Sequence, residues 1–197
     1  MSTQLFEGKL IRFAPHDPDR DAEIESKWTH DPDYLRSISL DPARPSSPPQ
    51  IKKKYEDLAK EADEQRDLFS FAVRTMGDDR LIGFARLFGV EWTHGVGRIL
   101  IGLGDPIDRG RGYGREALQL LLRYAFDELN LHRITATTFE YNTASIDFLQ
   151  RNGFVLEVTR REAVQRDGRY WDFLGFGLLR DEWVKNNLQL TSSNEQG

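Results

Sequence analysis

The chain has 197 residues, of which 39% are hydrophobic and 11% aromatic, so it can form a core and wholesale disorder is excluded. It contains no cysteine, which excludes disulfides and thiolate chemistry, and its four histidines lack metal-ligand spacing, so we expect no metal site. The net charge of −5, from 27 basic and 32 acidic residues, argues against general nucleic-acid binding.

The overall organisation is predicted to be simple. No stretch approaches the ~20 apolar residues of a membrane span, and the N-terminus lacks the pattern of a signal peptide. We therefore expect a cytoplasmic protein that makes no membrane contact. The length predicts one domain over residues 1–187, and the polar residues 188–197 are expected to form a frayed C-terminal tail.

The first third of the chain is expected to alternate between strand, helix and loop. Alternating apolar and polar residues predict a strand over 8–15, and an acid-rich helix is expected within 17–31. Residues 33–50 hold four prolines and predict a long loop, followed by an exposed helix over 51–67. The acidic residues of both helices either attract a cation or simply form solvated faces.

The remaining segments predict a sheet with interspersed helices. Strands are expected at 68–75, 80–92, 97–104 and 132–140, helices at 115–130 and 143–152, and a closing hairpin that turns at 166–168. This order indicates a single α/β (α+β) domain with a mixed, mostly antiparallel central sheet flanked by helices. Its strand–helix–strand unit over 97–140 is expected to be parallel and right-handed.

One short stretch, "RGRGYGREA" (109–117), carries the strongest chemical signal. Glycines let a backbone approach a ligand closely, and the start of a helix presents free N–H groups and positive charge. Arginines beside such a helix start favour an anion such as a pyrophosphate. The alternative is a sharp strand-to-helix turn with solvated arginines. Neither the GxxxxGK[ST] nor the GxGxxG spacing is present.

The spacing that is present is Arg-x-x-Gly-x-Gly, at Arg109, Gly112 and Gly114. In this motif the chain resembles the GCN5-related N-acetyltransferase (GNAT) superfamily. It also resembles that superfamily in three further segments: "GLGDP" before the motif, "LHRITATTFEYNTASIDFLQRNGF" (131–154) after it and "RDGRYWDFLGFGLLRDEW" (166–183) near the end. The last segment is similar to the closing hairpin of its RimJ/RimL branch of ribosomal-protein N-acetyltransferases.

The resemblance implies acetyl transfer from acetyl-CoA to a primary amine by direct attack in a ternary complex. It places acetyl-CoA where the fourth and fifth strands splay, with no metal. Backbone N–H groups at the end of the fourth strand are expected to bind the thioester oxygen. The implied acetyl-CoA-binding residues are Leu103, Gly104, Arg109, Gly110, Arg111, Gly112, Tyr113, Gly114, Arg115 and Asn142.

The residue that stabilises the leaving thiolate departs from the common pattern. Many superfamily members have a tyrosine seven residues after a helix-starting asparagine, but here Asn142 is followed at that distance by Leu149. The RimL branch instead has a serine three residues after the asparagine, and this chain has Ser145 there. Ser145 is therefore a candidate catalytic residue. Alternatively, Asn142 merely caps the helix.

The general base is harder to assign. Similar enzymes use a glutamate on the strand before the hairpin turn, but the corresponding position here is Val164. Glu162 lies two residues earlier, on the same strand face if the period of two holds, and is either a catalytic substitute or a solvated edge residue. Glu91 and Glu140 are further candidates, and ordered water is another. His94 and His132, like the four tryptophans, are expected to be structural.

The sequence does not name the acceptor. RimJ/RimL-type relatives imply a protein N-terminal amine, and other members of the branch imply a small cationic amine. The alternative function is a non-catalytic acyl-CoA-binding sensor or scaffold, and an RNA-associated factor is disfavoured by the negative charge. A homodimer formed through the closing hairpin is possible.

Overall fold

The computed structural model describes residues 4–186, so the predicted tail over 188–197 lies outside the described residues. Contacts divide the chain into two compact units. The first contains the residues up to Val90 and Ile99–Tyr124, and the second contains Glu91–Arg98 and the residues from Ala125 onward. Strand β4 begins in the second unit and ends in the first. The single domain over 1–187 stays a prediction.

Seven strands and five α-helices account for most of the described residues. The strands are Ile11–Ala14 (β1), Phe69–Thr75 (β2), Leu81–Glu91 (β3), Val96–Leu103 (β4), Arg133–Phe139 (β5), Val155–Arg166 (β6) and Arg169–Leu179 (β7). The helices are Arg20–Trp28 (α1), Pro32–Ile38 (α2), Pro48–Gln65 (α3), Tyr113–Arg123 (α4) and Thr143–Arg151 (α5), and residues 180–186 are also helical.

The first unit is built on the strand order β1-β2-β3-β4. β1 pairs antiparallel with β2, with Ile11 opposite Thr75, and β2 pairs antiparallel with β3, with Phe69 opposite Leu87. Ala72, Leu81 and Phe84 of this sheet pack against Trp28 and Tyr34 of the first two helices. Trp28 and Tyr34 thus pack α1 and α2 against the sheet.

The helix α2 corrects the prediction of a continuous loop over 33–50. Pro32 is tolerated in the first turn of a helix, where its missing N–H costs no hydrogen bond, and the Asp31 carboxylate accepts the Asp33 N–H at 2.9 Å. Pro48 starts α3 in the same way, with Ser47 before it. The prolines therefore start helices here, and the irregular segment shrinks to residues 39–47.

The acidic residues of the first helix are mostly not a solvated face. Asp21 and Glu25 are buried, and each binds a cation: Asp21 Oδ1 lies 2.5 Å from Arg74 Nη2, and Glu25 Oε1 lies 2.7 Å from Lys54 Nζ. Both carboxylates are therefore engaged by cations of the same unit. On α3, in contrast, the acidic residues from Glu56 to Glu64 are exposed, as expected of a solvated face.

The second unit contains the start of β4 and the strands β5, β7 and β6, in that order. β7 pairs antiparallel with both β5 and β6, and Ile134, Phe176 and Leu178 form part of its core. Residues 124–128 continue α4 as one π-helical turn. The strands, the antiparallel pairings within each unit and the flanking helices confirm the predicted α/β (α+β) class. No helix within residues 4–186 is long and apolar enough to cross a membrane.

Candidate active site

The glycine–arginine loop forms an open helix start in the first unit. Gly110 and Gly112 have φ angles of 73° and 86°, in the left-handed region that glycine adopts without strain. Gly112 is the N-cap of α4, and no side chain caps that helix. The N–H groups of its first turn are therefore available to an external acceptor.

Three arginines surround this helix start and are not neutralised. Arg109, Arg111 and Arg115 are exposed, and none forms an ion pair with any residue of the described part of the chain. Guanidinium groups beside an uncapped helix start provide charge and directed donors for an anion. A pyrophosphate group fits this chemistry, as the sequence predicted.

Two further contacts anchor the loop from either side, and sequence reasoning missed both. Before it, the buried Asp108 carboxylate binds the Arg80 guanidinium through two hydrogen bonds of 2.7 and 2.8 Å. After it, the Glu116 carboxylate accepts the backbone N–H groups of Lys9, Leu10 and Ile11 at 2.7–2.8 Å. The helix start is thereby fixed to the rest of the unit. Neither contact left a spacing signal, because the partners lie far apart in sequence.

The predicted thioester-binding strand end is tightly packed. The Gly104 N–H donates to the Ile82 carbonyl at 3.0 Å, so it is engaged within the sheet. Successive N–H groups of a strand point to opposite edges, which directs the Leu103 N–H away from β3. The hydrogen bond to Ile82 therefore occupies the Gly104 N–H but does not involve the Leu103 N–H, the other predicted donor. Gly104 serves packing instead, since a Cβ there would lie 1.9 Å from the Trp28 ring.

In the second unit, Asn142 and Ser145 begin α5. Asn142 is its N-cap, and its Oδ1 accepts the Ser145 N–H at 3.1 Å. Asn142 thus caps the helix, and a role of Asn142 or Ser145 in the reaction stays a prediction. The Ser145 side chain is partly exposed, and its hydroxyl has no hydrogen-bond partner between residues 4 and 186. Leu149, at the position of the usual tyrosine, is a buried core residue. Capping by Asn142 thus orients the helix turn that carries a free hydroxyl.

The geometry at Glu162 corrects one assumption. The pairing of β6 with β7 shifts register between Arg160 and Val164, and Glu162 has a φ of 52°. Such a bulge breaks the period of two. Val164 is buried and Glu162 is exposed, so the expectation that they share a strand face is wrong. The Glu162 N–H donates to Asp172 Oδ1 at 2.9 Å, which stabilises the bulge.

The other candidate bases are also exposed. Glu91 ends β3, and His94 and His132 are exposed side chains. Glu140 is held at the end of β5, where its carboxylate accepts the Asp172 N–H at 3.1 Å.

The tryptophans differ from one another: Trp28 is buried in the first unit, whereas Trp92 is half exposed.

A buried polar cluster in the first unit was not predicted. It contains Tyr34 and Arg86, with His16 and Glu25 next to them, and is described below. A signal for it was present in the sequence. Arg86 is a lone charge within the otherwise apolar run "LIGFARLFGV" of β3.

Known proteins resemble this chain in both sequence and fold. Residues 10–155 match the family model described as an acetyltransferase (GNAT) domain. The uncharacterized N-acetyltransferase p20 of Bacillus licheniformis is 30% identical over 165 residues, which cover 83% of this chain and 90% of that protein. The uncharacterized N-acetyltransferase YnaD of Bacillus subtilis is 33% identical over 116 residues, which cover 57% and 65%.

A solved structure shows the same fold. Spermidine N-acetyltransferase from Vibrio cholerae, in complex with CoA and spermine, superimposes with a TM-score of 0.76 at 20% identity, covering 90% of this chain and 99% of that one. The family model covers well over half of the chain. The chain therefore belongs to the GNAT acetyltransferase family and is an N-acetyltransferase.

Proposed function

We propose that the protein transfers the acetyl group of acetyl-CoA to a primary amine by direct attack in a ternary complex. The observation that carries the proposal is the uncapped start of α4, with three arginines that have no ion-pair partner within residues 4–186. This surface suits the pyrophosphate of CoA, and Gly110, Gly112 and Gly114 would let it approach the backbone. Acetyl-CoA supplies the activated acetyl group. The chain's own residues would orient the two substrates and stabilise the charge that develops during transfer.

Two groups of the chain are proposed to act on the thioester. The Leu103 N–H would donate to the thioester oxygen as it gains negative charge. The Ser145 hydroxyl, which has no partner within the described residues, would donate to the departing sulfur. A serine hydroxyl is a far weaker acid than a tyrosine phenol, so we expect a hydrogen bond to the thiolate and no complete proton transfer.

The amine must also lose a proton, because a primary amine with a pKa near ~10 is mostly protonated at neutral pH. Glu162 was the first candidate for this role. Its exposure and its place in a bulge support a structural role, and we propose that water removes the proton. We further propose that the chain belongs with the RimJ/RimL branch, whose acceptors are peptide N-terminal amines, or with members that act on small amines. The spermidine enzyme represents the second class.

Replacing Arg111 with glutamine is expected to raise the Kd for acetyl-CoA about 10- to 100-fold, because one charge-assisted contact of about 1.5–3 kcal/mol is lost. Isothermal titration calorimetry measures this directly. Arg161→Gln is the matched control, since Arg161 is also exposed and unpaired within the described chain but lies on β6. Equal Kd values for Arg111→Gln and the native protein would rule out the loop as the pyrophosphate site.

Replacing Ser145 with alanine is expected to lower kcat about 10-fold and leave the KM for acetyl-CoA unchanged, because the lost hydrogen bond acts on charge that develops only in the transition state. Thiol release from acetyl-CoA, scanned over peptides and small amines, provides the rate. Thr143→Ala on the same turn is the control, because Thr143 is exposed. A fall in kcat of the same size in both variants would contradict a specific role for Ser145. Acetyl-CoA binding without turnover on any amine would instead favour a non-catalytic module.

A further inference from the structure

The interior of the first unit holds a positive charge that forms no ion pair with any of the described residues. Arg86 is on β3, its Nη2 atom is buried, and that atom has no hydrogen-bond partner among residues 4–186. Its Nε donates to the Ser70 hydroxyl at 3.2 Å, and its guanidinium lies 4.4 Å from the centre of the Phe84 ring. No carboxylate of the described residues forms an ion pair with it.

This arrangement is unusual for a structural arginine. An uncompensated buried charge is costly, and buried arginines are normally paired with a carboxylate. Arg74, a buried arginine of the same unit, is paired with a carboxylate in this way, since its Nη2 lies 2.5 Å from Asp21 Oδ1. Burial lowers the pKa of Arg86 below its ordinary value, because it disfavours the charged guanidinium. The residue is nevertheless partly exposed.

A second buried polar group next to Arg86 also lacks a partner. The Tyr34 hydroxyl forms no hydrogen bond with any described residue, although Tyr34 is only 1% exposed. Burial raises its pKa, so the phenol stays protonated and can donate. Tyr34 and Phe84 belong to the same buried cluster, and the Arg86 guanidinium lies over the Phe84 ring. The charge of Arg86 acts on the Tyr34 phenol.

The neighbouring Glu25 carboxylate acts on Arg86 through its charge but forms no ion pair with it. The Glu25 carboxylate is already occupied, because it accepts hydrogen bonds from Lys54 and the Tyr55 hydroxyl. His16 stacks on Tyr55, and burial lowers its pKa to about 4, so its imidazole is neutral at pH 7. His16 Nε2 shares the Ser70 hydroxyl with Arg86. The cluster thus offers one guanidinium and one phenol donor to an anionic group.

The cluster adjoins the elements proposed for acetyl transfer within this unit. Trp28 packs edge-on against Tyr34 with ring centroids 6.0 Å apart, and a Cβ on Gly104 would touch the Trp28 ring. A Cβ on Gly102 would likewise lie 2.6 Å from the Phe84 ring. The end of β4 is therefore separated from Arg86 and Tyr34 by a single layer of aromatic rings.

We propose that Arg86 and Tyr34 bind a carboxylate of the acceptor, so that the substrate is a primary amine carrying a carboxylate. This inference rests on the proposed function and narrows its acceptor. A carboxylate supplies the missing counter-charge and accepts from both the guanidinium and the phenol. Polyamines such as spermidine lack such a group and would leave Arg86 unpaired.

The test compares dipeptides that have a free C-terminal carboxylate with the same dipeptides as C-terminal amides, and includes spermidine. The native protein is expected to show at least about 10-fold higher kcat/KM for the free acids, as expected for one charge-assisted contact. Tyr34→Phe removes only the hydroxyl, and Arg86→Gln removes the charge. Each is expected to reduce this preference without changing the Kd for acetyl-CoA. Equal rates for acids and amides, or a preference for spermidine, would overturn the proposal.

Two measurements keep this test separate from the proposed function. Calorimetric binding of the dipeptides to the CoA-saturated protein reports the carboxylate preference without turnover, and equal affinities for acids and amides would refute the site. The thermal stability of Arg86→Met reports the cost of the unpaired charge, and we expect Tm to rise by about 2–4 °C. A clear fall in Tm would identify Arg86 as a structural residue. If the native protein does not bind acetyl-CoA at all, the proposed function is contradicted. That result differs from equal affinities for acids and amides, which would contradict the carboxylate site.

Discussion

Replacing Asp21 with alanine is expected to lower the free energy of unfolding by about 3–5 kcal/mol, because it leaves a buried arginine without its counter-charge. Asp21 is 0% exposed, and its Oδ1 lies 2.5 Å from Arg74 Nη2, which is also buried. Its Oδ2 accepts the Asp17 N–H at 2.8 Å, so the start of α1 loses a contact as well. Urea denaturation followed by circular dichroism gives the free energy of unfolding.

The adjacent Asp19 provides a matched control for this prediction. Its Oδ1 also lies 2.5 Å from a cation, Lys52 Nζ, but its side chain is 83% exposed. Because an exposed ion pair contributes little, Asp19→Ala is expected to cost less than about 1 kcal/mol. Replacing Asp21 and Arg74 together with alanine and methionine should restore most of the loss. Similar losses in the two single variants would contradict the importance of burial.

Replacing Gly104 with alanine is expected to lower kcat/KM about 100-fold, because a misplacement of about 1 Å at a reacting centre has an effect of this size. The added Cβ would lie 1.9 Å from Trp28 Cδ2, and the strand end is held on its other side by the hydrogen bond to Ile82. Either Trp28 or the end of β4, with the proposed donor Leu103, must move. Overpacking of this kind also costs about 1–3 kcal/mol of stability. Steady-state kinetics and urea denaturation measure both effects.

Gly77→Ala is the corresponding control, because a Cβ at Gly77 meets no atom within 4 Å and its φ is not in the left-handed region. It should change neither activity nor stability. A second substitution, Trp28→Leu in the Gly104→Ala background, removes the clashing ring and is expected to recover part of the activity. If Gly104→Ala retains full activity, the end of β4 does not position the thioester.

Strongly periodic segments could be predicted well from sequence. The strands predicted at 68–75, 80–92 and 132–140 agree with β2, β3 and β5 to within one residue at each end. Their β-branched and aromatic residues are bounded by turn residues, so local preference and burial agree. The glycine–arginine loop was also predictable, because its φ angles and its open helix start depend on neighbouring residues.

The failures occurred where contacts distant in sequence decide the conformation. The helix α2 was predicted as loop because it is short and because four prolines follow it between residues 42 and 49. Tyr34 is nevertheless buried in the core with Trp28 and Phe84. At β6, a register shift relative to β7 turns Glu162 outward and Val164 inward. A period of two carries no information about a bulge, which is set by pairing with the partner strand.

The sequence by itself determined the family of this protein, its strand order, the longer helices and the loop proposed to bind pyrophosphate, because these depend on short motifs and local periodicity. Only the tertiary structure decided which charged residues are buried. Asp21 and Glu25 look like ordinary solvated residues in the sequence, and Arg86 stands out there only as a lone charge in an apolar run. Folding places all three inside the first unit. Desolvation makes a charge costly unless a partner neutralises it, and partners far apart in sequence meet only in the folded chain. The presence or absence of such a partner distinguishes the two arginines. Arg74 forms a structural ion pair with Asp21, whereas Arg86, which has no ion-pair partner among the described residues, is proposed to bind a ligand.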